Sequence, residues 1–167
     1  VQPDGFNINK ECGSTDTKAL SKKVIEEKAD IGLAFDGDGD RLMICDENGQ
    51  IIDGDQILGL LAINLKNRGT LSKNEIVGTS MANLGLEEKL KEHSIKLIRT
   101  SVGDRYVKEE MIKKDINLGG EQSGHIILKD FNLSGDGIIV ALQVLSILQE
   151  QKIKASKALN IFTPVPQ

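Results

Sequence analysis

The sequence predicts an α/β fold, layered, with a largely parallel or mixed sheet. Short apolar runs alternate with longer amphipathic ones, and Gly-rich or Asn-Gly turns fall between them. Residues 15–28 open on Ser/Thr/Asp punctuation and then place Ala19, Leu20, Val24 and Ile25 at helical spacing. Asp16 and Lys28 sit at the ends that the helix dipole favours, so a helix is expected there. Residues 31–35 and 42–45 read as apolar strands on either side of an acidic, Gly-rich loop. Asn48-Gly49 is a hairpin signal that returns Gln50-Ile51-Ile52 beside the second of these strands. A further helix opens at Gly54-Asp55 and runs from about 56 to 67, with Ile57, Leu61 and Leu65 on one face and Gly69 closing it. Strand, helix, strand and helix then follow over 75–78, 84–93, 96–99 and 104–114. Residues 116–118 and 126–128 flank a Gly-rich turn. The helix at 138–148 is apolar nearly all round and is expected to be deeply buried. A boundary between two units is expected near Asp53-Gly54, where the hairpin ends and a new helix starts.

Composition removes several classes of function. With 39% hydrophobic and 28% charged residues, the 167-residue chain has the make-up of a globular domain. No apolar stretch reaches the roughly 18 residues of a membrane-spanning helix, so no membrane role is expected. Twenty-one Lys and Arg against 25 Asp and Glu give a net charge of −4 without a basic stripe, so nucleic acid is not an expected partner. With no Trp, one Tyr and four Phe, a small polar ligand would be held by hydrogen bonds and charge rather than by stacking. Cys12 and Cys45 form neither a C-x-x-C pair nor a disulfide framework, and Cys45, within an apolar run, reads as a buried thiol. No signal or transit segment is visible, which makes the cytoplasm the expected compartment. The chain starts at Val1 without Met and ends in Thr163-Pro164-Val165-Pro166-Gln167, an extended linker in character, so a fragment of something larger is expected.

The chemistry concentrates in Asp36-Gly37-Asp38-Gly39-Asp40-Arg41. Three carboxylates at alternate positions repel one another unless a cation sits between them, and the glycines let the backbone curl so that they converge. Hard oxygen donors point to Mg²⁺ or Ca²⁺ rather than zinc. An EF-hand would need Gly where Arg41 stands and helices where strands are expected, and is rejected. A phosphatase of the haloacid dehalogenase type, with four apolar residues before D-x-D, fits residues 32–38 but lacks a later Asp-Asp pair. It remains a weaker alternative.

The loop also resembles the metal loop of the α-D-phosphohexomutases, and a second segment strengthens the likeness. Gly119-Gly120-Glu121-Gln122-Ser123-Gly124-His125 is similar to the family's sugar-binding loop. Asn9 with Cys12-Gly13-Ser14-Thr15, Gly78-Thr79-Ser80-Met81, and Thr100-Ser101-Val102-Gly103-Asp104-Arg105-Tyr106-Val107 resemble further stretches of the same family. The Gly-Gly-Glu-Gln-Ser-Gly-His wording lies nearer its hexosamine branch than its phosphomannomutase branch. The resemblance covers essentially the whole chain. It implies a layered α/β/α domain with a mixed sheet (54–160), preceded by the C-terminal part of a similar α/β domain (1–53) and followed by a linker (161–167) toward a fourth domain.

The resemblance also implies roles. Asp36, Asp38 and Asp40 would hold Mg²⁺ together with a phosphoserine from another domain, and Arg41 would help position the transferring phosphoryl group or the substrate. Glu121 and Ser123 would bind sugar hydroxyls, as a carboxylate that accepts from two neighbouring hydroxyls can do. His125 would contact substrate or exchange protons. Asp104 and Arg105 are candidate substrate contacts, with helix capping and a plain surface position as the alternatives. His93 reads as a solvated helix end. The implied reaction interconverts glucosamine 6-phosphate and glucosamine 1-phosphate through a phosphoserine and a bisphosphate. Neither a T/S-A-S-H-N-P loop nor an R-x-S-G-T loop is present in these residues. The expected partners are therefore a hexosamine phosphate and the first and fourth domains of the parent, and the chain alone is expected to be inactive. Another phosphohexomutase specificity, or a non-catalytic metal-binding α/β module, stays open.

Overall fold

The computed structural model describes residues 4–166, so the readings on Val1 and Gln167 lie outside the described residues. Strands β1 (Ile31–Phe35), β2 (Leu42–Asp46) and β3 (Ile51–Ile52) form an antiparallel sheet in that order, with Leu33 opposite Ile44 and Ile44 opposite Ile52. The Asn48-Gly49 turn is the expected hairpin. Gly49 N donates to Asp46 O (3.0 Å), and the buried Asp46 carboxylate accepts from Asn48 N and Gln50 N, both at 2.9 Å. Helix α1 (Lys18–Glu27) lies on this sheet through Leu20 and Val24, which close directly over Gly32. It starts three residues after Thr15, with Thr17 as an N-cap that makes no side-chain hydrogen bond, and Lys28 closes it in the left-handed conformation. Cys45 is fully buried, as its apolar run implied.

The second unit runs α2 (Gly54–Asn67), a 3-10 turn (Ser72–Asn74), β4 (Glu75–Thr79), α3 (Leu84–Glu92), β5 (Lys96–Thr100), α4 (Asp104–Lys114), β6 (Leu118–Gly120), β7 (Ile126–Leu128), α5 (Gly137–Gln151) and α6 (Ala155–Ala158). Its sheet has the order β5-β4-β6-β7; the first three strands are parallel and β7 is antiparallel to β6, so the sheet is mixed as expected. Adjacent residues of one strand point to opposite faces. Ile76 and Ile126 enter one core with Ile57, Leu86 and Val144, whereas Val77 and Ile127 enter the other with Val107 and Met111. Helices thus cover both faces, which is the α/β/α layering.

The first core does not stop at the hairpin. Leu42, Ile44 and Ile52 join the cluster that holds Ile57, Val140 and Val144, so α5 packs against both sheets. The expectation that α5 is buried all round is corrected. Val140, Ala141, Val144 and Ile147 are buried, but Ile138 and Leu142 are 59% and 58% exposed. A helix wedged beside two sheets has only its inner stripe covered, and the apolar outer face was read as core because composition does not say which side the neighbours occupy. The C-terminal stretch 161–165, read as a linker, carries no helix or strand yet is fastened. Gln56 Oε1 accepts from Ile161 N (2.8 Å), Gln56 Nε2 donates to Phe162 O (2.9 Å), and the Asn83 side chain pairs with both backbone groups of Val165. Among the described residues no helix is long and apolar enough to cross a membrane.

Asp55, at the start of α2, is fully buried. Its Oδ2 accepts from Asn83 N at 2.7 Å, while Oδ1 has no hydrogen-bond partner. Burial pushes the Asp55 carboxyl up from the usual 3.8 to about 6, with the Asn83 amide pulling the other way and Asp53 adding to the rise. Between about pH 4 and pH 6 the folded chain therefore holds a proton that the unfolded chain has lost. Asp55 thus subtracts stability progressively as pH rises through this window, by ~3 kcal/mol at most above it. Urea melts of wild type and Asp55→Asn should diverge in favour of the variant as pH rises from 4 to 7. A difference that stays flat over this window would refute the burial argument.

Candidate functional site

The acidic loop is the connection between β1 and β2. Gly39 N donates to Asp36 O (3.2 Å), and Arg41 N donates to Asp36 Oδ1 (3.1 Å), which curls the loop on itself. One carboxylate oxygen each of Asp36, Asp38 and Asp40 then lies within 4.8 Å of the others. Burial raises the Asp40 carboxyl above its usual range, the neighbouring Asp36 raises it further, and His125 offsets part of the rise. Part of that rise is repulsion between the Asp36 and Asp40 charges, which a cation would relieve. Three hard, converging oxygens fit Mg²⁺ as a donor set, and water would complete its shell. Arg41 is the nearest cation, with Nε 3.6 Å from Asp36 and 4.0 Å from Asp40.

The Gly-rich segment is the turn between β6 and β7, closed by Gly124 N donating to Glu121 O (3.0 Å) and Glu121 N donating to His125 O (2.9 Å). It is seated on three segments: the acidic loop, the start of α2 and the entry to α4. Leu42 N donates to Gly124 O (3.1 Å), and Arg41 and His125 form an antiparallel bridge, so the turn continues the acidic loop's own backbone. Gly54 N donates to Gln122 O (2.9 Å), while Asp53 caps α2 with Oδ1 and accepts from Gln122 Nε2 (3.2 Å) with Oδ2. Glu121 Oε1 accepts from Gly103 N (3.0 Å) at the entry to α4. Among the described residues nothing engages its other oxygen.

His125 sits at the seam between the two loops. It is 4% exposed, its Nδ1 lies 2.9 Å from Asp40 Oδ2, and its ring packs tightly over Gly135. With Asp40 ionised, Nδ1 must be the donor, which fixes the neutral ring's tautomer. The imidazole thus joins the two loops rather than reaching freely into solvent. The Arg105 side chain is 80% exposed and pairs with Glu109 one helical turn on, at 2.7 Å. An Arg followed four residues later by Glu on a helix forms this local pair at little entropic cost. Asp104 does face the site, and Gly103 rather than Asp104 is the N-cap of α4.

Together these segments enclose a cavity of about 450 Å³. It is lined by Asp40, Arg41 and His125, by Glu121, Gln122 and Ser123, and by Val102, Gly103 and Asp104. Thr79, the last residue of β4, and Met81, in the turn that follows, complete it. The sequence assigns no individual role to Asp53, Gln122, Thr79 or Met81, although all but Asp53 lie in runs that carry the family resemblance; nothing local marks such a residue as part of a distant cavity wall.

Residues 53–165 match the profile described as phosphoglucomutase/phosphomannomutase, alpha/beta/alpha domain III, and residues 5–49 match that of alpha/beta/alpha domain II. The chain belongs to this family. The phosphoglucosamine mutases of Bradyrhizobium diazoefficiens and Maricaulis maris are 55% and 56% identical to it over all 167 residues. The chain spans 37% of the length of these curated relatives. Among solved structures, a phosphoglucomutase/phosphomannomutase family protein from Burkholderia thailandensis is similar with a TM-score of 0.82 and 28% identity, covering 92% of this chain and 33% of that one. Aspergillus fumigatus N-acetylphosphoglucosamine mutase, in complex with GlcNAc-6P and magnesium, shares the fold with a TM-score of 0.72 at 21% identity, covering 99% of this chain and 39% of that one. The α/β/α architecture is thus that of phosphoglucomutase/phosphomannomutase domains, and the acidic loop and the Gly-rich turn meet where those two domain matches adjoin.

Proposed function

We propose that this chain is the central part of a phosphoglucosamine mutase, which interconverts glucosamine 6-phosphate and glucosamine 1-phosphate in the cytoplasm. Residues 1–53 would end its second domain, 54–160 would form its third, and 161–167 would lead toward the fourth. The observation that carries the reading is a cavity lined both by Asp40, one of three converging carboxylates, and by Glu121, a carboxylate with an unengaged oxygen. Whole-chain identity to relatives of that name agrees with it.

In this reading Asp36, Asp38 and Asp40 hold Mg²⁺, which when bound offsets charge on the transferring phosphoryl group. Arg41 presents its guanidinium to the phosphate, for which the planar fork is suited. The unengaged oxygen of Glu121 and the hydroxyl of Ser123 accept and donate hydrogen bonds to sugar hydroxyls, with Asp104 across the cavity. Gly103 N holds Glu121 in one rotamer, so its orientation is set before substrate arrives. His125 keeps Asp40 turned toward the other two acids. The phosphoserine comes from a part of the parent outside these residues.

Amide chemical-shift mapping of the chain with glucosamine 6-phosphate and Mg²⁺ tests this. Millimolar ligand, about −4 kcal/mol of binding, should move the resonances of Gly103, Glu121 and Ser123. Silence at all three up to saturating ligand would leave the metal-binding module as the better reading.

A further inference from the structure

Thr79, the last residue of β4, and Met81, in the turn that follows, both line the cavity, although the turn itself is exposed at Ser80 and Met81. What holds it is a residue on the next strand. Arg99 Nη1 donates to the carbonyl oxygens of Thr79 (3.3 Å), Ser80 (3.3 Å) and Ala82 (2.8 Å). The other side of the same guanidinium is occupied by Glu87 of α3, whose Oε2 accepts from Nε (3.1 Å) and Nη2 (3.0 Å). One planar group therefore gathers three carbonyls of a single turn while a carboxylate fixes its orientation. The far end of the turn is pinned by the buried Asp55, which accepts from Asn83 N. An isolated turn needs no such grip, and carbonyls that point outward would ordinarily be left to water.

We propose that Arg99, oriented by Glu87, is a positioning residue that fixes the 79–82 backbone as a wall of the cavity and so sets its affinity for the phosphosugar. The affinity half of this rests on the function proposed above; the positioning half does not. Arg99 does not line the cavity, and its effect passes through Thr79 and Met81. A Lys at this position keeps the charge but is a point donor that cannot span three carbonyls and a carboxylate at once.

The test compares wild type, Arg99→Lys and Glu87→Gln by amide hydrogen exchange and by titration with glucosamine 6-phosphate. Amides of the 80–82 turn should exchange ~tenfold faster in both variants, with β4 and α4 amides unchanged. The dissociation constant should rise by about fivefold or more in parallel, as expected when a binding wall must be ordered by the ligand itself. Glu87→Gln leaves Arg99 in place and decides the matter if Arg99→Lys does not fold. Unchanged turn exchange overturns the proposal. Faster exchange with wild-type affinity also overturns it, by making the clamp structural only. If wild type binds no phosphosugar, the proposed function fails, and the turn exchange alone still decides whether Arg99 holds the wall.

Discussion

Gly54→Ala should be among the most damaging single-methyl additions in this chain, lowering stability by about 1–3 kcal/mol and erasing the response to glucosamine 6-phosphate. A Cβ on Gly54 would overlap Glu121 O and stand 2.7 Å from Gly124 N and 2.9 Å from Gln122 O. All three are backbone atoms of the turn that carries Glu121 and Ser123, so no side chain can swing aside. Helix propensity pulls the other way, since Ala is preferred over Gly in a helix by about 1 kcal/mol. Overpacking at about 1–3 kcal/mol, together with loss of the Gly54 N to Gln122 O bond at about 1 kcal/mol, outweighs it. Gly124→Ala should behave similarly: its φ is +90°, and its Cβ would press on the Leu42 carbonyl, 2.9 Å from Leu42 C. Gly39→Ala is the control, with φ +74° but open space around the Cβ, and should cost only about 1 kcal/mol. Urea melts rank the three. A Gly54→Ala chain as stable as the Gly39→Ala chain would mean that the turn does not dock on α2.

The second large effect is a reversal of rank with Mg²⁺. Without the ion, Asp38→Asn removes one of three mutually repelling charges and should be at least as stable as wild type. With the ion in tenfold excess over its dissociation constant, wild type gains about 1.4 kcal/mol by mass action, and the variant, short of one charged ligand, gains little. Thermal melts at zero and saturating Mg²⁺ should therefore cross. Parallel shifts in the two proteins would remove Asp38 from the metal set.

Much of this was legible because the signals were local. Periodicity placed every strand and the main helices within a few residues, since a strand or helix is specified by its own neighbours. Asp36, Asp38 and Asp40 converge because glycines and alternate spacing act over six residues. What the sequence did not disclose depends on contacts between distant segments. The bond from Glu121 to Gly103 and the bond from His125 to Asp40 join residues 18 and 85 positions apart, and no spacing rule reaches across them. The Arg105 contact is of the opposite kind: the Glu four residues on takes its guanidinium, a pairing that local spacing does reach. Helix α5 was misjudged because apolar composition fixes how much surface a helix can bury but not which neighbours arrive to bury it.

The bridge between Arg41 and His125 bears on how the molecule comes together. Closing a chain segment of that length carries an entropic cost that is repaid only when the contacts it brings are already in place on both sides. The two loops are each organised locally, but their junction has to wait for α2, β6 and β7 to assemble. A ligand that spans the junction is therefore a probe of complete folding. Its protection should extend to proteolysis at α1 and α5 alike, because opening either half dissolves the site that both create.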